Sequence, residues 1–280
     1  MTKLWGSRFT GKLSDLAEKF TCSIDYDSKL ALYDCLGSTA HAQMLGKQGI
    51  ISKKDSATIV KGLKRLAAQI ESGKYQHNPK SEDVHTDIQS KLKKLIGKPA
   101  DKLHTARSRN DQIVLDVKMY CIDHIGQIIA MIKALQKSVV SFAGKNSDVI
   151  IPAYTHLQPA QLVLMSHHML AYVEMFERDK GRLYGCFQRT SVNPLGSCAL
   201  SGSSLPIDRH YVTTQLGFSA TSANSMDSVA DRDFIIELLS GIAIIGMHLS
   251  RLCEDLILWA TKEFDFICID DAFCTGSSIM

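Results

Sequence analysis

The chain has 280 residues, 45% hydrophobic and 22% charged, with a formal net charge of +3. That length supports one large or two medium domains with a sizeable core. Near-balanced charge without a Lys/Arg block excludes a nucleic-acid footprint, MTKLWGSRFT lacks the apolar stretch of a secretory signal, and no run of about 18 apolar residues marks a membrane span.

The first dozen residues read as a polar arm, followed by a short helix over 13–20 and a turn over 23–27. A helix over 27–47 stops at Gly49, and Ser52 caps the next, which runs to Glu71. After a loop over 74–80, Ser81 is expected to cap a helix with Glu82 and Asp83 in its first turn. It ends at Gly97–Lys98–Pro99. These short helices make a first domain, residues 1–105.

The second domain, 106–280, is built differently. Apolar residues at helical spacing predict long helices over about 105–146, 157–188 and 224–262, with a loop-rich section over 190–206. A helix of about 40 residues is about 60 Å long, which belongs in a bundle and an oligomer. Strand signals are almost absent. The expected class is all-α: a small N-terminal helical domain followed by a long-helix bundle. Eight scattered cysteines form no Cys-x-x-Cys and read as reduced thiols of a cytosolic protein, mostly in the core.

Three stretches carry candidate chemistry. In HTARSRND, 104–111, Ser108 and Asp111 fit a capping box, which sets free N–H groups beside Arg107, Arg109 and Asn110. Such a helix start holds a carboxylate; the alternative is an ordinary capped helix with surface ion pairs. In YTHLQPAQ, 154–161, Thr155 and Gln158 fit a second capping box and Pro159 a first helical turn. His156 then lies in a helix mouth whose dipole favours neutral imidazole, as acid–base chemistry near neutral pH requires; the alternative is a loop histidine. In TGSSIM, 275–280, Ser277 offers a hydroxyl that needs a base within reach, or is an ordinary polar loop residue. His167–His168 and Asp231–Arg232–Asp233 read as surface or interhelical polar groups, and no histidine spacing makes a metal site.

Taken together, these stretches resemble the fumarase/aspartase superfamily, and within it the argininosuccinate lyase family. LWGSRF at 4–9, SEDVHTDI at 81–88, HTARSRNDQ at 104–112, YTHLQPAQ at 154–161, NPLGSCALSG at 193–202, PIDR at 206–209, SVADRDF at 228–234 and DDAFCTGSSIM at 270–280 match its motifs in order. Ser7 replaces the usual second glycine of the first. The resemblance implies cleavage of argininosuccinate to arginine and fumarate in arginine biosynthesis, by a cytoplasmic homotetramer without metal or organic cofactor. It assigns Ser23, Asn110 and Thr155 to substrate binding, with Arg109 as an additional contact, and His156 and Ser277 to the catalytic pair. The small-molecule substrate is the expected partner, not nucleic acid or membrane. In the family the loop continues past GSSIM with more bundle helices and a small C-terminal domain, whereas this sequence stops at Met280. The expectation is an incomplete bundle with little activity on its own. Competing expectations are a non-catalytic structural protein like the delta-crystallins and a sister lyase; HTARSRND argues against the latter.

Overall fold

The computed structural model describes residues 14–279. The expected arm with LWGSRF, and Leu13 of the first expected helix, lie outside the described residues. Two compact units make up the chain: residues 1–123 with 188–232, and 124–187 with 233–280. The expected division at residue 105 differs from this, because the segment over 188–232 packs with the short helices rather than with the long ones.

In the first unit, α1 (Asp15–Thr21) and α2 (Ile24–Asp27) lead through a 3-10 turn into α3 (Ala31–Lys47). α4 (Lys53–Glu71), α5 (Val84–Ile96) and a 3-10 segment, Lys98–His104, follow. Ser52 caps α4 as expected, its hydroxyl accepting from the Asp55 N–H. Asp83, not Ser81, caps α5: its carboxylate accepts the Thr86 N–H at 2.6 Å. Ile59, Leu63 and Leu66 of α4 pack with Cys35, Met44 and Leu45 of α3 and with Ile88 and Leu92 of α5. α3 and α4 cross closely at Gly46, where a Cβ would stand 2.5 Å from the Ser56 Cβ.

A 37-residue helix, α6 (Arg109–Lys145), begins in this unit and continues into the second. The remainder of the first unit includes α8 (Arg209–Gln215), α9 (Ser225–Ala230) and a short parallel pairing of residues 192–193 with 220–221. The helix expected over 224–262 breaks at 231–232. Lys118 holds Asp231 there at 2.8 Å, and Asp231 leaves the helical backbone region, with φ −52° and ψ 123°.

The second unit contains the later part of α6, a hairpin, α7 (Met165–Thr190) up to residue 187, and α10 (Asp233–Trp259). Buried positions repeat at spacings of three and four: Ile125, Ile129, Ile132, Gln136, Val139 and Ala143 on α6; Met165, Met169, Tyr172, Phe176, Asp179, Leu183 and Cys186 on α7; Phe234, Leu238, Gly241, Ile245, His248 and Leu252 on α10, with Trp259 seven further on. That is the narrow seam of coiled-coil packing. Two polar pairs tie α7 to α10: His168 Nε2 to Asp255 at 2.7 Å, and Asp179 to His248 Nδ1 at 2.7 Å. α6 and α10 are long and apolar enough, by length and composition, to cross a membrane. Outside their seams, Met131, Val140, Phe142, Ile236, Leu239 and Ile257 are exposed.

One expectation fails in the second unit. The helix expected from 157 starts at Met165, and β1 (Ile150–Thr155) pairs antiparallel with β2 (Gln158–Leu164). The all-α class holds otherwise. The thiols divide: Cys35, Cys121 and Cys186 are buried, whereas Cys253, Cys268 and Cys274 are exposed, so the core expectation holds only for the first three.

Candidate active site

The start of α6 is fixed by buried charge. Asp111, fully buried, accepts the backbone N–H groups of Ser108 at 3.0 Å, Gly196 at 3.0 Å and Cys198 at 2.8 Å. The first of these is half of the expected capping box; the other two fasten the helix to the loop over 193–198. Burial pushes the Asp111 carboxyl up, although the three N–H groups favour its ionised form. Asn110 is exposed, and its amide donates to the Ala199 carbonyl at 2.8 Å. Arg109 is half-buried with three partners: Asp83 at 3.3 Å, Gln112 Oε1 at 3.1 Å and Thr86 Oγ1 at 3.3 Å. A guanidinium has five N–H groups, so it retains capacity for a ligand carboxylate.

Arg107 turns inward instead. Its guanidinium donates to Ser38 Oγ at 2.8 Å and faces Asp34, Asp116 and Asp111. His85 Nδ1 lies 2.5 Å from Asp34 and 3.4 Å from Asp116, and Gln112 donates to Asp34 at 2.9 Å. Burial works against ionisation of Asp34, but the His85 hydrogen bond prevails and holds its carboxyl low. Burial and the neighbouring Asp34 push Asp116 well up. Asp34, His85 and Asp116 have metal-ligand spacing. The short His85–Asp34 contact and the facing Arg107 make the set a buried charge cluster. His41 and His104 beside it are held neutral, pushed down to about 3 and about 4 by burial and then by Arg107.

Ser23, at the start of α2, is half-buried and donates to Asp27 at 2.6 Å; Asp27 in turn accepts the Val84 N–H at 3.1 Å. Ser23, Asp27, Asp83 and His85 line one cavity of about 480 Å³ with Ile113, Val117 and Tyr120. Asp83 is also the partner of Arg109, so this unit brings Ser23 and the Arg109 network to one place. Asp83 and Asp111 were read from sequence only as a first-turn acid and a capping residue, and Asp27 and Gln112 were not singled out. Their common signal is a polar residue at a position where helical spacing predicts burial.

In the second unit, Thr155 ends β1, and His156 and Leu157 form a two-residue turn closed by the Thr155–Gln158 pair. Both turn residues have left-handed backbones, φ 54° and 58°, as a type I′ hairpin requires and as non-glycine residues resist. His156 is therefore exposed at a hairpin tip, not in a helix mouth. The apparent capping box is the last rung of the hairpin, and Pro159 lies in its second strand, opposite Tyr154. A cavity of about 360 Å³ beneath the tip is lined by His156, Tyr154, His168, Asp255, Trp259 and Phe264. Ser277 is exposed in the irregular segment after α10, and its Oγ accepts the Ile279 N–H at 3.3 Å.

A helix start with carboxylate-binding capacity suits an anionic substrate; separately, an exposed imidazole on a preformed turn suits proton movement. A family model described as a lyase matches residues 7–280. The argininosuccinate lyase of Trichlorobacter lovleyi is 51% identical over 278 residues, covering 99% of this chain and 61% of the relative. That of Pelobacter propionicus is 52% identical over the same shares. The chain thus spans 61% of the length of these curated relatives. Among solved structures, an EDDS lyase variant with bound fumarate superimposes with a TM-score of 0.81 at 29% identity, covering 97% of this chain and 54% of that one. A match that runs through both units and every candidate residue places the chain in the lyase family.

Proposed function

We propose that this chain supplies the substrate-holding and proton-transfer residues of an argininosuccinate lyase, which splits argininosuccinate into arginine and fumarate in arginine biosynthesis. The observation that carries this reading is identity of about half over nearly the whole chain to proteins of that name. The reaction is a β-elimination. A base removes the proton next to one carboxylate, negative charge spreads into that carboxylate, and the guanidinium nitrogen leaves with a proton from an acid.

Arg109 and Asn110 bind a substrate carboxylate and meet that charge, Arg109 braced by Asp83, Gln112 and Thr86. Ser23 and Thr155 donate to the substrate. Ser277 acts as base and His156 as acid. A serine hydroxyl is a weak base, so Ser277 needs local positive potential to work. The enzyme is a cytoplasmic homotetramer in this reading. Exposed apolar residues on α6 and α10 favour assembly, and eight cysteines outside any disulfide favour a reducing compartment.

Fumarate release from argininosuccinate, followed by ultraviolet absorbance with protein expressed from the complete gene, tests the activity. Absence of release from folded protein overturns it. Exchange of the substrate's carbon-bound proton with solvent tests the base: Ser277→Ala should abolish exchange, and undiminished exchange removes Ser277 from that role.

A further inference from the structure

Asp255 sits on the last turns of α10 and gathers two side chains from α7: His168 Nε2 at 2.7 Å and the Tyr172 hydroxyl, which donates to the same oxygen at 2.5 Å. Burial opposes ionisation of Asp255, but these two hydrogen bonds hold its carboxyl below the usual range. The His168 ring meets Trp259 edge to face, with centroids 4.8 Å apart. Trp259 is buried, and its carbonyl accepts the N–H groups of Phe266 at 2.9 Å and Ile267 at 3.3 Å, turning the chain back after α10. Phe264, in that returning segment, packs edge to face on Tyr154 at 5.5 Å, one residue before Thr155 and two before His156. His168, Asp255, Trp259, Tyr154 and Phe264 wall the same cavity that His156 lines.

One cluster therefore fixes two things at once: the hairpin that presents His156, and the departure of the segment that leads to Ser277. We infer that His168, Asp255 and Tyr172 are positioning residues that set the His156 turn and the start of the Ser277 segment for proton transfer, an inference that rests on the function proposed above. The Asp179–His248 pair is the internal comparison. It joins the same two helices at the same 2.7 Å, is more deeply buried, and has its further partners, Arg182 and Phe176, on α7. A merely structural Asp–His clamp predicts equal consequences for both pairs; positioning predicts unequal ones.

The experiment compares Asp255→Asn, His168→Gln and the milder Tyr172→Phe with Asp179→Asn in the complete protein. Expected are losses in kcat of ~10–100-fold for Asp255→Asn and His168→Gln, of the size that an ångström-scale misplacement of a reacting group produces, with KM little changed. Tyr172→Phe, which keeps the ring, should lose only a fewfold. Asp179→Asn should lower the melting temperature while kcat stays near wild type. The NMR titration of carbon-labelled His156, read without substrate, should be displaced in Asp255→Asn and not in Asp179→Asn. Unchanged kcat in folded Asp255→Asn and His168→Gln overturns the proposal, as does an equal loss in Asp179→Asn. If the wild type fails to release fumarate from argininosuccinate, the function falls. The titration then decides positioning alone: displacement in Asp255→Asn only upholds it, and no displacement ends it.

Discussion

The start of α6 and the turn between β1 and β2 both carry residues proposed for the reaction, and they are built in opposite ways. Arg109 has three side-chain partners, Asp111 binds three backbone N–H groups, and Arg107 is sunk against a cluster of buried acids and His85. His156 stands exposed on a turn of two left-handed residues. The difference fits the role proposed for each. A group that holds a substrate's charge gains by being immobile, because reorganisation at the moment of reaction is costly. A group that passes a proton must be reached by solvent and substrate, and a preformed turn aims it without enclosing it.

Replacing residues on each side separates the two designs. His156→Asn should lower kcat by ~10²–10⁴-fold, the range of general acid–base catalysis, while the urea midpoint stays put. A large loss of stability would show that the turn is part of the core after all. Asp34→Ala should do the reverse first. It removes the acceptor of His85, Gln112 and Ser38, and breaking a buried ion pair costs about 3–5 kcal/mol, measurable by urea unfolding.

Acid should weaken the α6 side selectively. His41 and His104 ordinarily titrate near 6.5 but are pushed to about 3 and about 4 in the fold. Below 6.5 the unfolded chain therefore binds protons that the folded one refuses. Their contribution is complete above 6.5 and is lost as pH falls toward 4 and then 3. His41→Gln, which can still donate to the Thr105 carbonyl, should flatten the pH dependence of the urea midpoint; an unchanged slope counts against a neutral buried His41. Gly46→Ala tests packing beneath that side. A methyl 2.5 Å from the Ser56 Cβ overpacks the α3–α4 crossing by about 1–3 kcal/mol. The smallest effect is expected on the hairpin side. Leu157→Gly relieves a left-handed leucine and should be neutral or stabilising by under about 1 kcal/mol, seen as a slightly raised melting temperature.

How much of this was legible in the sequence depended on range. The existence of the long helices α6, α7 and α10 was readable because apolar spacing within one helix encodes it, although α7 and α10 start later than expected. So was the Ser108–Asp111 contact, three residues apart. Asp34, His85 and Asp116 were not: their meeting depends on three helices packing, and each alone looks like an ordinary polar residue at a helical position. The hairpin was misread for a local reason. Thr155, Gln158 and Pro159 satisfy the pattern of a helix start, and a turn made of His156 and Leu157 offers none of the glycine or asparagine that normally announces a two-residue hairpin. The strand content of IIPAYT and QLVL was the available signal. His168 was read as a surface or interhelical residue, and it is interhelical; its link to the hairpin depends on Trp259 and Phe264, about a hundred residues away.

The two Asp–His pairs between α7 and α10 have opposite order: histidine on α7 and aspartate on α10 in one, aspartate on α7 and histidine on α10 in the other. Repetitive seams of this kind invite slippage, since leucines and isoleucines pack almost equally well one heptad along. Here a slide of α10 by seven residues in one direction sets Asp179 against Asp255, two carboxylates in a dry seam. The opposite slide sets His168 against His248. Each of these two false alignments brings like against like, which disfavours it relative to the observed one.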